Sequence, residues 1–266
     1  MLLRKYLSSL IFFLGLTVVG QAQIDYPALS GKLLQAIREG HQERIEEINQ
    51  QLARVSPEKL AAGLNNDEKR LTFWINSYNS HILLALKEHP ERYQNRSQFF
   101  SEPRISLAGQ SLSFDDIEHG ILRHSKLKLS LGFIENPFPG DFEEMMRVDR
   151  VDWRIHFALN CGAASCPPLE VYAEESLYER LNDRAYQYLK HSTRFLPKKD
   201  KVQVTSLMSW FRGDFGNLTG IKELLKSYSL VPQAADPAIE FLPYDWTLDL
   251  DNWSDELEAR QALPSS

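Results

Sequence analysis

The fold is decided by residues 67–89, which read DEKRLTFWINSYNSHILLALKEH. Apolar side chains recur along this stretch at helical spacing and cover a broad face, and Asn66 or Asp67 can cap its start. A helix with so wide an apolar face needs partners on several sides, so we expect it to cross the core. Asn76 and Asn79 share one face of this helix, and buried amides at these positions need hydrogen-bond partners.

The remaining elements are predicted outward from this helix by hydrophobic spacing, caps and turn residues. Helices are expected over residues 30–55 with a break near Gly40, and over residues 57–64, 116–123, 174–191, 207–211 and 220–227. Strands are expected within residues 105–114, with a turn at Gly109, and at residues 201–204 and 239–242. Residues 126–150 are interrupted by prolines and a glycine and are predicted to form an irregular flap. The predicted fold class is α+β, a predominantly helical single domain with a small, mostly antiparallel sheet.

The N-terminus has the layout of a secretory signal peptide. Arg4 and Lys5 precede an apolar stretch from residue 10 to residue 19, and small residues as far as Ala22 follow. We therefore predict a signal peptide at residues 1–22 and a periplasmic or extracellular protein, with an uncleaved anchor as the alternative. The rest of the chain is divided into an N-terminal helical extension, a main domain and a C-terminal tail, at residues 23–64, 65–250 and 251–266.

Composition and charge restrict the kinds of partner. The chain has 266 residues, of which 43% are hydrophobic and 25% are charged, as is typical of globular proteins. Its net charge of -6 gives no electrostatic reason to bind nucleic acid. We expect a small molecule, a peptide or a glycan as the partner, and no stable membrane span after signal cleavage. The sequence predicts no cofactor and leaves the oligomeric state open.

Residues 156–168, HFALNCGAASCPP, contain both cysteines of the chain beside a histidine and an asparagine. We refer to this stretch as the cysteine loop. It is predicted to begin as a short buried strand at His156 and to deliver polar side chains, including Asn160, to a fixed turn. Scaffolds commonly position binding and catalytic residues on such loops, so any thiol chemistry of this protein is expected at this position.

Three interpretations of the cysteines remain open. In the first, Cys166 is a nucleophile, His119 is its base and Glu118 orients the imidazole. In the second, Cys161 and Cys166 form a disulfide, as paired cysteines of exported proteins commonly do. In the third, the two cysteines bind a metal together with His119 and His156. The spacing lacks the close Cys-x-x-Cys pairs of strong zinc motifs, so we predict no metal site.

Five short motifs carry a resemblance to a known family. They are FWINSYN at residues 73–79, DIEHGILR at 116–123, RIHFALNCGAASCP at 154–167, WF at 210–211 with DF at 214–215, and YDW at 244–246. Together they resemble domain-of-unknown-function family 547 (DUF547) over roughly residues 65–250. The resemblance implies the family's fold for this segment. It implies no particular reaction, so the function has to be argued from the site.

The motifs predict one polar pocket built from the central helix, the helix at 116–123 and the cysteine loop. On a helix, His119 and Arg123 share a face one turn apart, with Glu118 beside that face. The predicted ligand-binding residues are Asn76, Asn79, Arg123, His156 and Asn160. The aromatic residues of the motifs are predicted to lie in the core: Trp74, Tyr78, Trp210, Phe211 and Trp246.

Two functions follow from these interpretations. The first is a cysteine-dependent hydrolase or transferase that acts on an amide, ester or thioester bond. The alternative is a non-catalytic binding or assembly domain, in which a Cys161–Cys166 disulfide shapes the loop and the polar residues bind a peptide or a glycan. The state of the two thiols distinguishes the two functions.

Overall fold

The computed structural model describes residues 24–255, so the predicted signal peptide at residues 1–22 lies outside the described part of the chain. The described residues form a predominantly helical α+β structure with small sheets, which confirms the predicted fold class. Among these residues, no helix is both long enough and apolar enough to cross a membrane.

Helices make up most of the structure. The α-helices are α1 (Tyr26–Glu39), α2 (Gln42–Arg54), α3 (Pro57–Gly63), α4 (Asp67–Glu88), α5 (Arg96–Ser101), α6 (Asp141–Met146), α7 (Leu177–Ser192), α8 (Leu207–Trp210) and α9 (Asn217–Ser227). A π-helix spans Asp116–Leu122, and 3-10 helices span Pro90–Asn95, Lys128–Ser130, Trp153–Phe157, Glu174–Ser176 and Pro197–Lys199. Gly40 ends α1 with a φ of 74°, so the predicted break near this residue is confirmed.

Helix α4 lies at the centre of the structure, as expected. The side chain of Asn66 caps it by accepting a hydrogen bond from the Lys69 backbone N–H at 2.8 Å. Phe73, Trp74 and Ile75 are completely buried, and α1 packs along the helix. Burying an apolar side chain of this size contributes about 1.5–3 kcal/mol. The wide apolar face seen in the sequence therefore accounts for the central position of α4.

The strands form two small sheets. Strands β1 (Ile105–Leu107) and β2 (Gln110–Leu112) make an antiparallel hairpin, and Ala108 and Gly109 turn the chain between them with positive φ values. In the second sheet, β4 (Lys201–Val204) pairs antiparallel with β3 (Arg194–Leu196) and parallel with β5 (Ala238–Phe241). Strand β3 is the one strand of the described chain that the sequence pattern does not predict.

The strand predicted to begin at His156 is wrong, because Trp153–Phe157 is a 3-10 helix. Asp152 begins this helix by accepting a hydrogen bond from the Arg154 backbone N–H at 3.0 Å. A 3-10 helix has three residues per turn, so successive side chains do not alternate between two faces as they do in a strand. His156 and Phe157 are both buried, with 3% and 0% of their surface exposed.

The core consists of two hydrophobic clusters. The larger one surrounds α4 and includes Tyr78 and Leu159. The smaller one is built around β4 and α9 and includes Phe157 and Leu207, while Tyr244 packs against both clusters. The cysteine loop thus starts at the junction of the two clusters, and this junction positions the candidate site.

Candidate functional site

A cleft of about 350 Å³ opens at the junction of the two hydrophobic clusters. Its wall contains Glu118, His119 and His156, which were singled out in the sequence, together with Cys161 of the cysteine loop. The aromatic residues of the wall are Tyr78, Phe100, Trp210, Phe211, Tyr244 and Trp246. The structure therefore brings the motif at 116–123 and the cysteine loop to one cleft.

Glu118 is a carboxyl group in this cleft that ionises close to neutral pH. Burial raises the pKa of Glu118 to about 6; Arg123 opposes this rise, and Asp115 adds to it. The Oη of Tyr78, on α4, donates a hydrogen bond to Glu118 Oε2 at 3.1 Å. Burial raises the pKa of Tyr78 well above its ordinary value, so Tyr78 remains a donor. A carboxyl with a pKa near 6 is suited to take up and release protons at neutral pH.

His119 lies beside Glu118 as a neutral imidazole. Arg123 Nη1 is 2.8 Å from His119 Nδ1, and a guanidinium can only donate, so Nδ1 is the acceptor and Nε2 carries the proton. Burial lowers the pKa of His119 well below its ordinary value, and the charges of Arg123 and Lys128 lower it further. The imidazole therefore offers an N–H at Nε2, which lies 3.6 Å from Asp115 Oδ1. As a base, His119 would have to take up a proton at the nitrogen that Arg123 already occupies.

A buried ion pair supports this arrangement. Arg123 Nε donates to Asp214 Oδ2 at 2.6 Å, and both side chains are completely buried. Burial lowers the pKa of His156 to about 4, so its neutral ring donates from Nε2 to the same oxygen at 2.8 Å. The pKa of Asp214 lies below its ordinary value. Burial acts to raise this pKa, but the hydrogen bonds from His156 and Arg123 lower it by more. Asp214 is thus an ionised acceptor for two side chains of the predicted site.

Cys161 and Cys166 form a disulfide, as one of the three interpretations proposed, with their Cα atoms 6.2 Å apart. Cys161 is half-buried and lines the cleft, whereas Cys166 is 3% exposed. Cys166 Sγ accepts hydrogen bonds from the backbone N–H groups of Cys161 at 3.0 Å and Ala163 at 3.4 Å, and from Tyr244 Oη at 3.3 Å. The predicted nucleophile, Cys166, therefore carries no free thiol in this state and does not belong to the wall formed by Glu118 and His119.

Asn76, Asn79 and Asn160 are fully buried and bind the backbone. Asn79 donates to the carbonyl of Ala158 and accepts from the backbone N–H of Asn160, both at 2.9 Å. Asn160 in turn donates to the Pro167 carbonyl at 2.8 Å. None of the three asparagines lines the cleft: Asn79 holds the cysteine loop against α4, whereas Asn76 bonds to the backbone of Tyr172, beyond that loop.

Asp214 and the aromatic wall of the cleft were missed as site residues by the sequence reasoning. The rings of Trp210 and Trp246 stack with centroids 5.5 Å apart, and Tyr244 lies 4.9 Å from Trp210. One signal was available for Asp214, because a buried arginine such as Arg123 requires an anionic partner. Five of the six aromatic residues of the wall, together with Asp214, belong to the quoted motifs, yet the sequence does not show that they face one cleft.

A second cavity, of about 730 Å³, lies along α7. Its lining includes Cys166 and the two arginines Arg180 and Arg184. Both arginines form ion pairs with Glu170, which offsets much of their charge. The cleft at Glu118 is smaller, but it holds a carboxyl group whose pKa burial raises to about 6 and is therefore the better candidate for chemistry.

The side chains that were considered as metal ligands have other partners in the structure. His156 is hydrogen-bonded to Asp214, and both sulfur atoms belong to the disulfide. Among residues 24–255, no group of three or more His, Cys, Asp or Glu side chains is arranged to hold a metal ion.

One comparison with known proteins gives a match. Residues 62–189 match the model of the family described as Protein of unknown function, DUF547. This segment contains α4, the π-helix and both cysteines, and the match confirms the predicted family resemblance over residues 62–189. No curated protein and no solved structure matches the chain.

Proposed function

We propose that this chain, which belongs to the DUF547 family over residues 62–189, is a hydrolase or transferase that acts on an amide, ester or thioester bond in the Glu118 cleft. One observation carries the proposal: a carboxyl group with a pKa of about 6 lies beside a neutral imidazole in an aromatic cleft. A proton acceptor and a hydrogen-bond donor so placed are the two groups that acyl transfer requires.

The proposed reaction follows from the protonation states of the two side chains. Ionised Glu118 takes a proton from water, or from an acceptor alcohol or amine, as that oxygen or nitrogen forms a bond to the acyl carbon. His119 donates from Nε2 to the acyl oxygen as negative charge develops on it. Glu118 then returns the proton to the leaving group as its bond to the acyl carbon breaks. This reaction needs no free thiol, which is consistent with the Cys161–Cys166 disulfide.

The cleft also suggests the kind of substrate. Stacked aromatic rings such as Trp210 and Trp246 pack against flat apolar faces, which aromatic side chains and sugar rings both present. A volume of about 350 Å³ is at the small end of the range for ligand sites. A terminal group of a peptide or glycan, or a small acyl compound, would fill it.

We also propose that the protein works outside the cytoplasm. The support is the signal-like layout of residues 1–22 and the disulfide, because disulfides persist in oxidising compartments.

The test is a hydrolysis screen of chromogenic esters, aminoacyl amides and thioesters, with and without a reductant. Glu118→Gln is expected to lower the rate by about 100-fold or more, the usual contribution of a general base. Glu47→Gln is the matched control, because Glu47 is exposed on α2 and pairs only with Arg44 among the described ion pairs. The rate for the wild type should rise with pH around 6, as Glu118 ionises.

Three results would contradict the proposal. If Glu118→Gln retains full activity, Glu118 is not the base. If the wild type hydrolyses none of the substrates but binds a peptide or glycan in the same cleft, the alternative of a non-catalytic binding domain is the correct one. Activity that requires the reductant and disappears in Cys166→Ala would instead support the cysteine-dependent mechanism.

A further inference from the structure

We propose that the Cys161–Cys166 disulfide is redox-active, and that an external low-molecular-weight thiol attacks Cys161 from the cleft while Cys166 leaves. The inference goes beyond the acyl chemistry of Glu118 and does not depend on it. It rests on the different surroundings of the two sulfur atoms.

Access distinguishes the two cysteines. Cys161 is half-buried, and it forms part of the cleft wall, where a ligand can reach it. Cys166 contributes to the second cavity but is only 3% exposed, and its Sγ is hydrogen-bonded to the backbone N–H groups of Cys161 and Ala163. Thiol–disulfide exchange requires access to the sulfur under attack, so Cys161 is the accessible target.

Stabilisation of the leaving group also favours this direction. Cys166 Sγ accepts hydrogen bonds from two backbone N–H groups, those of Cys161 and Ala163, and from Tyr244 Oη. Burial raises the pKa of Tyr244 above its ordinary value, so its hydroxyl keeps its proton. Hydrogen bonds to the charged form stabilise a thiolate, and a thiol of low pKa leaves faster. By contrast, Cys161 Sγ contacts Tyr244 Oη at 3.7 Å.

The exchange balances with two external thiols. The first, as a thiolate, forms a bond to Cys161 Sγ, the Cys161–Cys166 bond breaks, and its electron pair remains on Cys166 as a thiolate. The second external thiolate attacks the external sulfur of this mixed disulfide and releases Cys161 as a thiolate. The protein disulfide is reduced by two electrons, and the two external thiols are oxidised to one disulfide.

The first experiment measures attack on the native protein. The full chain is incubated with reduced glutathione, and free thiols are trapped by alkylation and counted by mass spectrometry. The mixed-disulfide intermediate is trapped in the same way, and fragmentation shows which cysteine carries glutathione and which carries the alkyl group. We expect reduction of the native pair through an intermediate with glutathione on Cys161 and the alkyl group on Cys166, at least tenfold more abundant than the reverse arrangement.

The second experiment measures the thiolate. The pKa of Cys166 in Cys161→Ala is obtained from the pH dependence of alkylation, and we expect a value at least one unit below the ordinary value of about 8.5. Adding Tyr244→Phe should raise it by about one unit, because one of the three donors is lost. The matched control is Tyr188→Phe, since Tyr188 Oη donates to the Ser165 carbonyl at 2.8 Å and thus holds the same loop without contacting sulfur.

The proposal is overturned if native protein resists glutathione and is reduced only after denaturation, which is how a purely structural disulfide behaves. Equal pKa values in the Tyr244→Phe and Tyr188→Phe variants would also overturn it, since the effect would then come from loop packing. Because neither experiment uses an acyl substrate, their results are independent of the hydrolysis screen.

Discussion

Replacing Asp214 by asparagine removes the negative charge that both Arg123 and His156 contact. The Arg123 and Asp214 side chains are completely buried and are 2.6 Å apart, so water cannot replace the lost charge. Removing one partner of a buried ion pair typically costs about 3–5 kcal/mol, because the other charge remains buried without compensation. The asparagine oxygen can still accept one hydrogen bond, so we expect about 3 kcal/mol for Asp214→Asn.

Urea unfolding followed by tryptophan fluorescence measures this free energy, and Trp210 and Trp153 lie on the elements next to the ion pair. The control is Asp236→Asn, which breaks the Lys222–Asp236 pair of 2.6 Å, whose carboxylate is 80% exposed. An exposed pair contributes about 1 kcal/mol or less.

A second variant tests the reason for the loss. If the cost of Asp214→Asn comes from the uncompensated charge of Arg123, then Arg123→Met combined with Asp214→Asn should unfold at a higher urea concentration than Asp214→Asn alone. A loss below about 1 kcal/mol for Asp214→Asn, equal to that of the exposed control, would refute the reasoning.

Three further predictions concern Glu118, Gly132 next to the Arg123–Asp214 ion pair, and Asn79 on α4. The free energy of unfolding of the wild type should fall relative to that of Glu118→Gln by up to about 2 kcal/mol as pH rises from about 4.5 to 6, because folding raises the pKa of this carboxyl. Urea unfolding at several pH values measures the difference. Gly132→Ala should cost at least about 2 kcal/mol, because Gly132 has a φ of +87° and a Cβ would lie 2.4 Å from Asp214 Oδ1. Gly140→Ala, where a Cβ meets nothing within 4 Å, is its control. Asn79→Ala should cost about 2–4 kcal/mol in the same assay, since two buried backbone groups lose their partners.

The parts of the fold that were predicted correctly are those with local signals. Helix α4 has a cap, a wide apolar face and an end marked by His89 and Pro90, all readable within the 25 residues from Asn66 to Pro90. The strand predicted at His156 failed because five residues are too few to separate a buried strand from a 3-10 turn by apolar content alone. The conformation follows from the Asp152 cap and from burial of Phe157 in the smaller cluster.

The candidate site also contains contacts that a local sequence signal predicts and contacts that it does not. Glu118, His119 and Arg123 lie within six residues of each other, so helical spacing alone indicates that they are neighbours. Asp214 lies 91 residues from Arg123, and the contact depends on how α8 and the segment after it pack against the π-helix. The sequence shows that residue 214 is an aspartate, but it does not show which cationic side chain pairs with the Asp214 carboxylate.

The ion pair also bears on the chemistry of the cleft. Asp214 fixes the guanidinium of Arg123 through Nε, and Arg123 then donates from Nη1 to His119 Nδ1. This chain of contacts leaves the proton of His119 on Nε2. If the ion pair is lost, Nδ1 loses its fixed donor and both tautomers become accessible. Asp214→Asn should therefore reduce the rate of a reaction in which His119 donates from Nε2, even at temperatures where the variant is fully folded. A variant that is destabilised yet as active as wild type would separate the two roles and assign the ion pair to stability alone.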